Sequence, residues 1–220
     1  MNRSYYEINI QNQKGLSSVE IKHLSVALGV LTLAFAVAIS GGYGNIELST
    51  FPMTLLISFL SVGTAFIFHE FAHRKLARNY GCWAEFRMWR WGLMLALLFS
   101  FLFGVVFAAP GAVMIRGNIT REQNGKISAA GPATNWMVGT AFLIGSFVTG
   151  ISDLGTLSFI LAFVAFVNLF IGGFNLLPLG PLDGRKIFGW SVKNYIILVI
   201  LIGGTLALGH YLGPFSGFFG

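Results

Sequence analysis

Two histidines stand four positions apart, with a glutamate directly after the first, in the run Phe68-His69-Glu70-Phe71-Ala72-His73. On a helix, positions i and i+4 share one face about a turn apart, so both imidazoles can offer a neutral nitrogen to one metal ion. Zn²⁺ suits this donor pattern, one ion per chain, with His69 and His73 as ligands. Glu70 projects from nearly the same side and is not needed as a ligand. It is therefore free to take a proton from water at the metal and to act as the catalytic base. The competing reading is a polar helix end at a membrane interface, with solvated histidines and Arg74 and Lys75 as anchors. Against it, residues 51–68 run into the motif without a charge, and His and Glu inside an apolar segment are costly and usually functional.

A zinc centre that keeps a position for water normally has three protein ligands, so a third donor must come from elsewhere. Downstream of His73 the acidic residues are Glu85, Glu122, Asp153 and Asp183, and the other histidine is His210. Glu85 and Glu122 fall in short connecting segments and are expected to be solvated surface charges. Asp183 lies in Asn175-Leu-Leu-Pro178-Leu-Gly-Pro181-Leu182-Asp183-Gly184, where two prolines and two glycines interrupt the end of an apolar run. A broken helix at membrane depth exposes backbone polar groups and implies a protein-lined or watered cavity. Taken alone, Asp183 reads equally well as the cap of a following helix.

The elements that must position these groups are membrane helices. Of 220 residues, 55% are hydrophobic and 10% charged, where a soluble domain carries about 25% charged residues. Residues 24–40, 52–78, 127–150, 154–177 and 195–212 read as spans of a bilayer core about 30 Å thick. A sixth apolar run, 91–115, is interrupted by Gly92, Gly104, Pro110 and Gly111, breakers that also mark re-entrant segments packed against protein.

Cytoplasmic loops collect Lys and Arg, which turns the choice into a count. If all six runs cross, one side holds Arg3, Lys14, Lys22, Arg74, Lys75, Arg78, Arg87 and Arg90, and the other Arg116, Arg121, Lys126, Arg185, Lys186 and Lys193, hardly a bias. If 91–115 returns to the side it left, all 14 basic residues fall together and segments 41–51 and 151–153 hold none. The expected fold is an all-α polytopic membrane protein of five to six transmembrane helices, with a re-entrant membrane hairpin after the histidine helix. The N-terminus and the site's opening are expected to be cytoplasmic in a multi-pass protein of the cell membrane. This topology also brings Asp183 to the same face as His69 and leaves Asp153 and His210 at the opposite one, so Asp183 is the expected third ligand.

The remaining features exclude more than they suggest. A lone Cys82 rules out an intramolecular disulfide framework, and a single cysteine is more often a small apolar residue than a ligand. Residues 1–13 lack the basic start, apolar core and cleavage site of a signal peptide. The formal charge of +6 comes without a basic helix or aromatic-basic motif, so nucleic acid is not an expected partner. No internal repeat or linker divides residues 1–220, which read as one domain with a core over about 51–188.

In these residues the chain resembles the site-2 protease family of intramembrane zinc metalloproteases. Its marks are Phe68-His69-Glu70-Phe71-Ala72-His73, then Gly131-Pro132-Ala-Thr-Asn135, then Asn175-x-x-Pro178-x-x-Pro181-Leu182-Asp183-Gly184, in the family's order. The resemblance implies hydrolysis of a peptide bond in or near a transmembrane segment of membrane-protein substrates, with His69, His73 and Asp183 on zinc and Glu70 as base. It implies that Asn175 holds substrate or stabilises the oxyanion, and gives Asn135 a structural or substrate-guiding role. A helix-packing hydrogen bond would explain either asparagine as well.

The run 91–115 is longer than the short membrane-dipping hairpin of relatives, and is expected to form a gate or an edge to which an unwound substrate stretch adds as a strand. No PDZ-like or nucleotide-sensing domain is visible in the sequence. Two rival functions are a zinc-containing pseudoprotease that escorts membrane proteins and a metal transporter. The retained Glu70 speaks against the first and the absence of repeated halves against the second.

Overall fold

A computed structural model describes residues 15–106, 109–152 and 154–215. Asp153 and the basic residues Arg3 and Lys14 of the charge count lie outside the described residues. The chain is an all-α multi-pass membrane protein: five helices of 20 to 31 residues are long and apolar enough to cross a bilayer.

Helix α1 (Ser18–Ile39) starts where the Ser17 hydroxyl accepts the Glu20 N–H, an N-cap that satisfies one of the first turn's free donors. The next span, Phe51–Asn79, consists of α2 (Phe51–Val62), a π-turn (Gly63–Ile67) and α3 (Phe68–Asn79). The π-turn lies one turn before the histidines, and nothing in the hydropathy of 52–78 announces it. Helix α5 (Arg121–Ile151) opens with a reciprocal capping box between Thr120 and Gln123. It packs along α6 (Gly155–Asn175), where Gly139 lets Leu169 approach closely. A short α7 (Asp183–Trp190) and the last span, α8 (Val192–Tyr211), complete the bundle.

Between α3 and α5 the chain forms strand β1 (Trp83–Met88), helix α4 (Arg90–Phe103) and strand β2 (Gly111–Arg116). The strands pair antiparallel from Trp83 opposite Arg116 to Met88 opposite Gly111. The excursion therefore ends where it began. Helix α4, with 14 residues, is about 21 Å long, short of the roughly 30 Å core. The expected re-entrant hairpin over 91–115 is helix α4 followed by strand β2, and with β1 before it the whole excursion is a strand-helix-strand unit. Gly104, in the left-handed region at φ 64°, ends α4, and Gly111 at φ 145° opens β2.

The apolar core follows this division. Leu31, Val62, Phe66, Phe86 and Leu93 join α1, α2, the π-turn, β1 and α4, while Leu143, Ala165 and Leu169 join α5 to α6. Ile144, Val148, Phe159 and Ile200 remain more than half exposed, as expected of side chains that face lipid. At the sheet's end of the bundle Glu20 is fully buried; it pairs with Arg74 at 2.8 Å and accepts the Phe86 N–H at 3.0 Å. Glu85, expected as a solvated charge, is instead 2% exposed, with its carboxylate taken by Arg87 and the Ser17 hydroxyl. The reason is that β1 packs against both α1 and α3, and three consecutive strand residues, Ala84, Glu85 and Phe86, are buried. Glu122 is a surface charge paired with Lys126.

Candidate metal centre

His69 and His73 project from α3 with their rings edge to face, centroids 4.6 Å apart. From the far end of the sequence Asp183 brings one carboxylate oxygen, Oδ2, to 3.2 Å from His69 Nε2 and 3.0 Å from His73 Nε2. The three side chains are buried, and their ligand atoms all lie within 4.8 Å of one another. Asp183 is the first residue of α7, and the helix has no side-chain cap bond. The carboxylate turns to the histidines instead. Gly184 permits this, because a Cβ there would stand 2.0 Å from the Leu176 carbonyl oxygen. Opposite, Gly131 lets α5 approach: its Cβ would meet His73 Nε2 at 2.5 Å and His69 Nε2 at 2.6 Å.

The outer ring nitrogens decide which atoms face inward. His73 Nδ1 lies 2.7 Å from the Ile127 carbonyl, an acceptor, so Nδ1 carries the proton. His69 Nδ1 lies 2.5 Å from Asn135 Oδ1, whose amide nitrogen donates to the Ala65 carbonyl at 2.8 Å. Because the NH₂ must face that carbonyl, the amide oxygen faces the ring and His69 Nδ1 is also protonated. Both Nε2 lone pairs therefore point at the Asp183 carboxylate. Two bare nitrogens and an anionic oxygen at this spacing are all acceptors, which is the donor set of a metal ion and matches a three-ligand catalytic zinc site.

Four further residues, none singled out as functional by the sequence in this way, shape the centre. Asn168, fully buried, bridges Asn135 and Thr64 and so braces the π-turn behind His69. The Val113 N–H of β2 donates to Glu70 Oε2 at 3.1 Å. Lys186, one turn along α7, holds Asp183 Oδ1 at 3.8 Å. The Ile127 carbonyl orients His73. Two asparagines in apolar helices were the one signal available for the Asn168 bridge; a backbone amide leaves none.

A cavity of about 480 Å³ opens beside the centre, with His69, Glu70, His73 and Asp183 in its wall. Its lining is mostly apolar and includes Leu31 and Phe35 of α1 and Phe170 and Phe174 of α6. Asn175 lines the cavity, and its amide nitrogen donates back to the Ile171 carbonyl at 3.0 Å. Asn135 is fully buried behind His69, away from the lining.

Three side chains able to hold a metal ion, with the Glu70 carboxylate adjacent, lie inside a multi-pass helical bundle, the arrangement of a candidate membrane metal centre. Over 170 residues the chain is 41% identical to the protein of Methanocaldococcus jannaschii named "Putative zinc metalloprotease MJ0611", covering 76% of this chain and 83% of that protein. By that similarity the chain belongs to a zinc metalloprotease family. It is also 24% identical over 169 residues to "Zinc metalloprotease MJ0392" of the same organism, of which it spans 42%. No family model and no solved structure matches.

Proposed function

We propose that the chain is an intramembrane endopeptidase of the site-2 protease type, cutting a peptide bond in or near a transmembrane segment of a membrane-protein substrate. The observation that carries the reading is the convergence of His69 Nε2, His73 Nε2 and Asp183 Oδ2 on one buried point, in the wall of a cavity between membrane-spanning helices. His69, His73 and Asp183 are the zinc ligands, and a zinc ion held there supplies Lewis acidity and makes water nucleophilic near neutral pH.

The chain's own residues do the rest. Glu70 takes the proton from the attacking water and passes it to the leaving amine nitrogen. Asn135 and the Ile127 carbonyl hold both imidazoles in the tautomer that presents Nε2. Asn175, on the cavity wall, has a second amide N–H beside the one on the Ile171 carbonyl to offer the carbonyl oxygen that becomes negative in the transition state. A substrate helix hides its peptide bonds in its own hydrogen bonds, so it must unwind before reaction. The outer edge of β2, with Gly111, Val113 and Ile115 in the cavity wall, suits pairing with such an extended stretch.

The positive-inside rule, applied to residues 15–215, orients the sheet end and the site toward the cytoplasm of the cell membrane. The test is cleavage of a single-span substrate by the purified protein in lipid nanodiscs, with and without a chelator. Cleavage should vanish on chelation and return with zinc, and a Gly-Pro pair in the substrate helix should accelerate it. Equal cleavage of a soluble unfolded protein and of the membrane helix would contradict the substrate class.

A further inference from the structure

Val113 stands midway along β2, opposite Phe86. The Phe86 N–H donates to Glu20 and the Val113 N–H to Glu70. Neither amide serves the ladder, so the two residues form one of the sheet's non-hydrogen-bonded pairs. By the same alternation Gly111 and Ile115 also turn their peptide groups to the outer edge of β2, the edge beside the histidines. No strand pairs with that edge among the described residues. Its central donor is already taken, at 3.1 Å, by the carboxylate of Glu70.

We propose that the Val113 N–H is a shared donor: it holds Glu70 in the resting chain and passes to a substrate carbonyl when an extended stretch adds to β2, so that docking releases the base at the bond to be cut. The inference rests on the peptidase reading above. Its physical basis is that one N–H has one proton. A strand in register with β2 must place an acceptor opposite each outward amide, and the Val113 amide is the middle one of three. The Glu70 carboxylate occupies that acceptor's place, so substrate and base compete for a single donor. Val113 is thus a positioning residue, acting through its backbone. An empty site keeps its base engaged, and recognition lies in the extended backbone more than in side chains.

The test needs no turnover. Hydrogen exchange is followed by NMR in the zinc-loaded, ¹⁵N-labelled full chain in lipid nanodiscs, with and without an apolar decapeptide whose central amide is a non-hydrolysable CH₂–NH link. Without the peptide, Glu70→Ala should speed exchange at Val113 about tenfold, the loss of a charge-assisted hydrogen bond. The ladder amides of Ala112 and Met114 should stay protected and report an intact sheet. Saturating peptide should slow Val113 exchange in wild type and in Glu70→Ala alike. If Glu70→Ala disturbs the ladder, Glu70→Gln carries the comparison, with a smaller rise because its amide oxygen still accepts. Unchanged Val113 exchange in the variant that keeps its ladder would overturn the inference, as would bound peptide that leaves Val113 exchange fast. Failure of the peptidase reading would appear elsewhere, as substrate cleavage that persists in Glu70→Gln.

Discussion

Gly131 decides how closely α5 lies against the histidine pair, since the first carbon of any side chain there would press on both imidazoles. Gly131→Ala is expected to keep the helical fold and lose most bound zinc, checked by metal analysis and circular dichroism on the same sample. Asn135 acts from behind the ring. Partners that orient a ligand in this way are worth about 10–100-fold in metal affinity, and Asn135→Leu should lose that much in a chelator competition titration. An unchanged affinity would remove Asn135 from the account. His69, Glu70 and His73 are legible in the sequence because a single helix carries them at one spacing. Asp183 is legible because acidic residues are few and the topology leaves one at the right face. The bonds from Asn135 to Ala65 and from Val113 to Glu70 join residues 70 and 43 positions apart. No local pattern encodes such contacts, and one donor is a backbone amide.

At the scale of elements, the buried Glu20–Arg74 pair ties α1 to α3, and the Phe86 amide ties β1 to the same carboxylate. Glu20→Leu would leave the Arg74 charge uncompensated, and breaking a buried pair from one side costs about 3–5 kcal/mol. The thermal midpoint in detergent should fall accordingly, and the double change Glu20→Leu with Arg74→Met should recover much of the loss. A full loss in the double variant would mean that packing, not charge, accounts for the contact. Neither this pair nor the sheet is visible from composition. Glu20 sits at the end of an apolar run, where an acid resembles an interfacial charge. Gly-Ala-Val-Met-Ile-Arg in β2 is too short and too evenly apolar to separate from the helix before it. The breakers Gly104, Pro110 and Gly111 are legible, and they mark where α4 stops and β2 starts.

For the whole molecule, the sequence carries most of the architecture because bilayer thickness fixes span length, and all five expected spans are present. The strand register returns 91–115 to its starting end, the outcome that the count of basic residues favours. An impermeant thiol reagent can check the orientation in a Cys82→Ala background. Ser49→Cys should label in intact cells and Asn118→Cys after permeabilisation alone; the reverse pattern would invert the proposed topology. The central claim, a zinc-dependent peptidase working inside the membrane with Glu70 as its base, is tested most directly by comparing wild type and Glu70→Gln for zinc content and for cleavage of a transmembrane substrate in nanodiscs. The account predicts equal zinc in both proteins and cleavage by wild type alone. Cleavage by Glu70→Gln at the wild-type rate, with zinc bound, would contradict it.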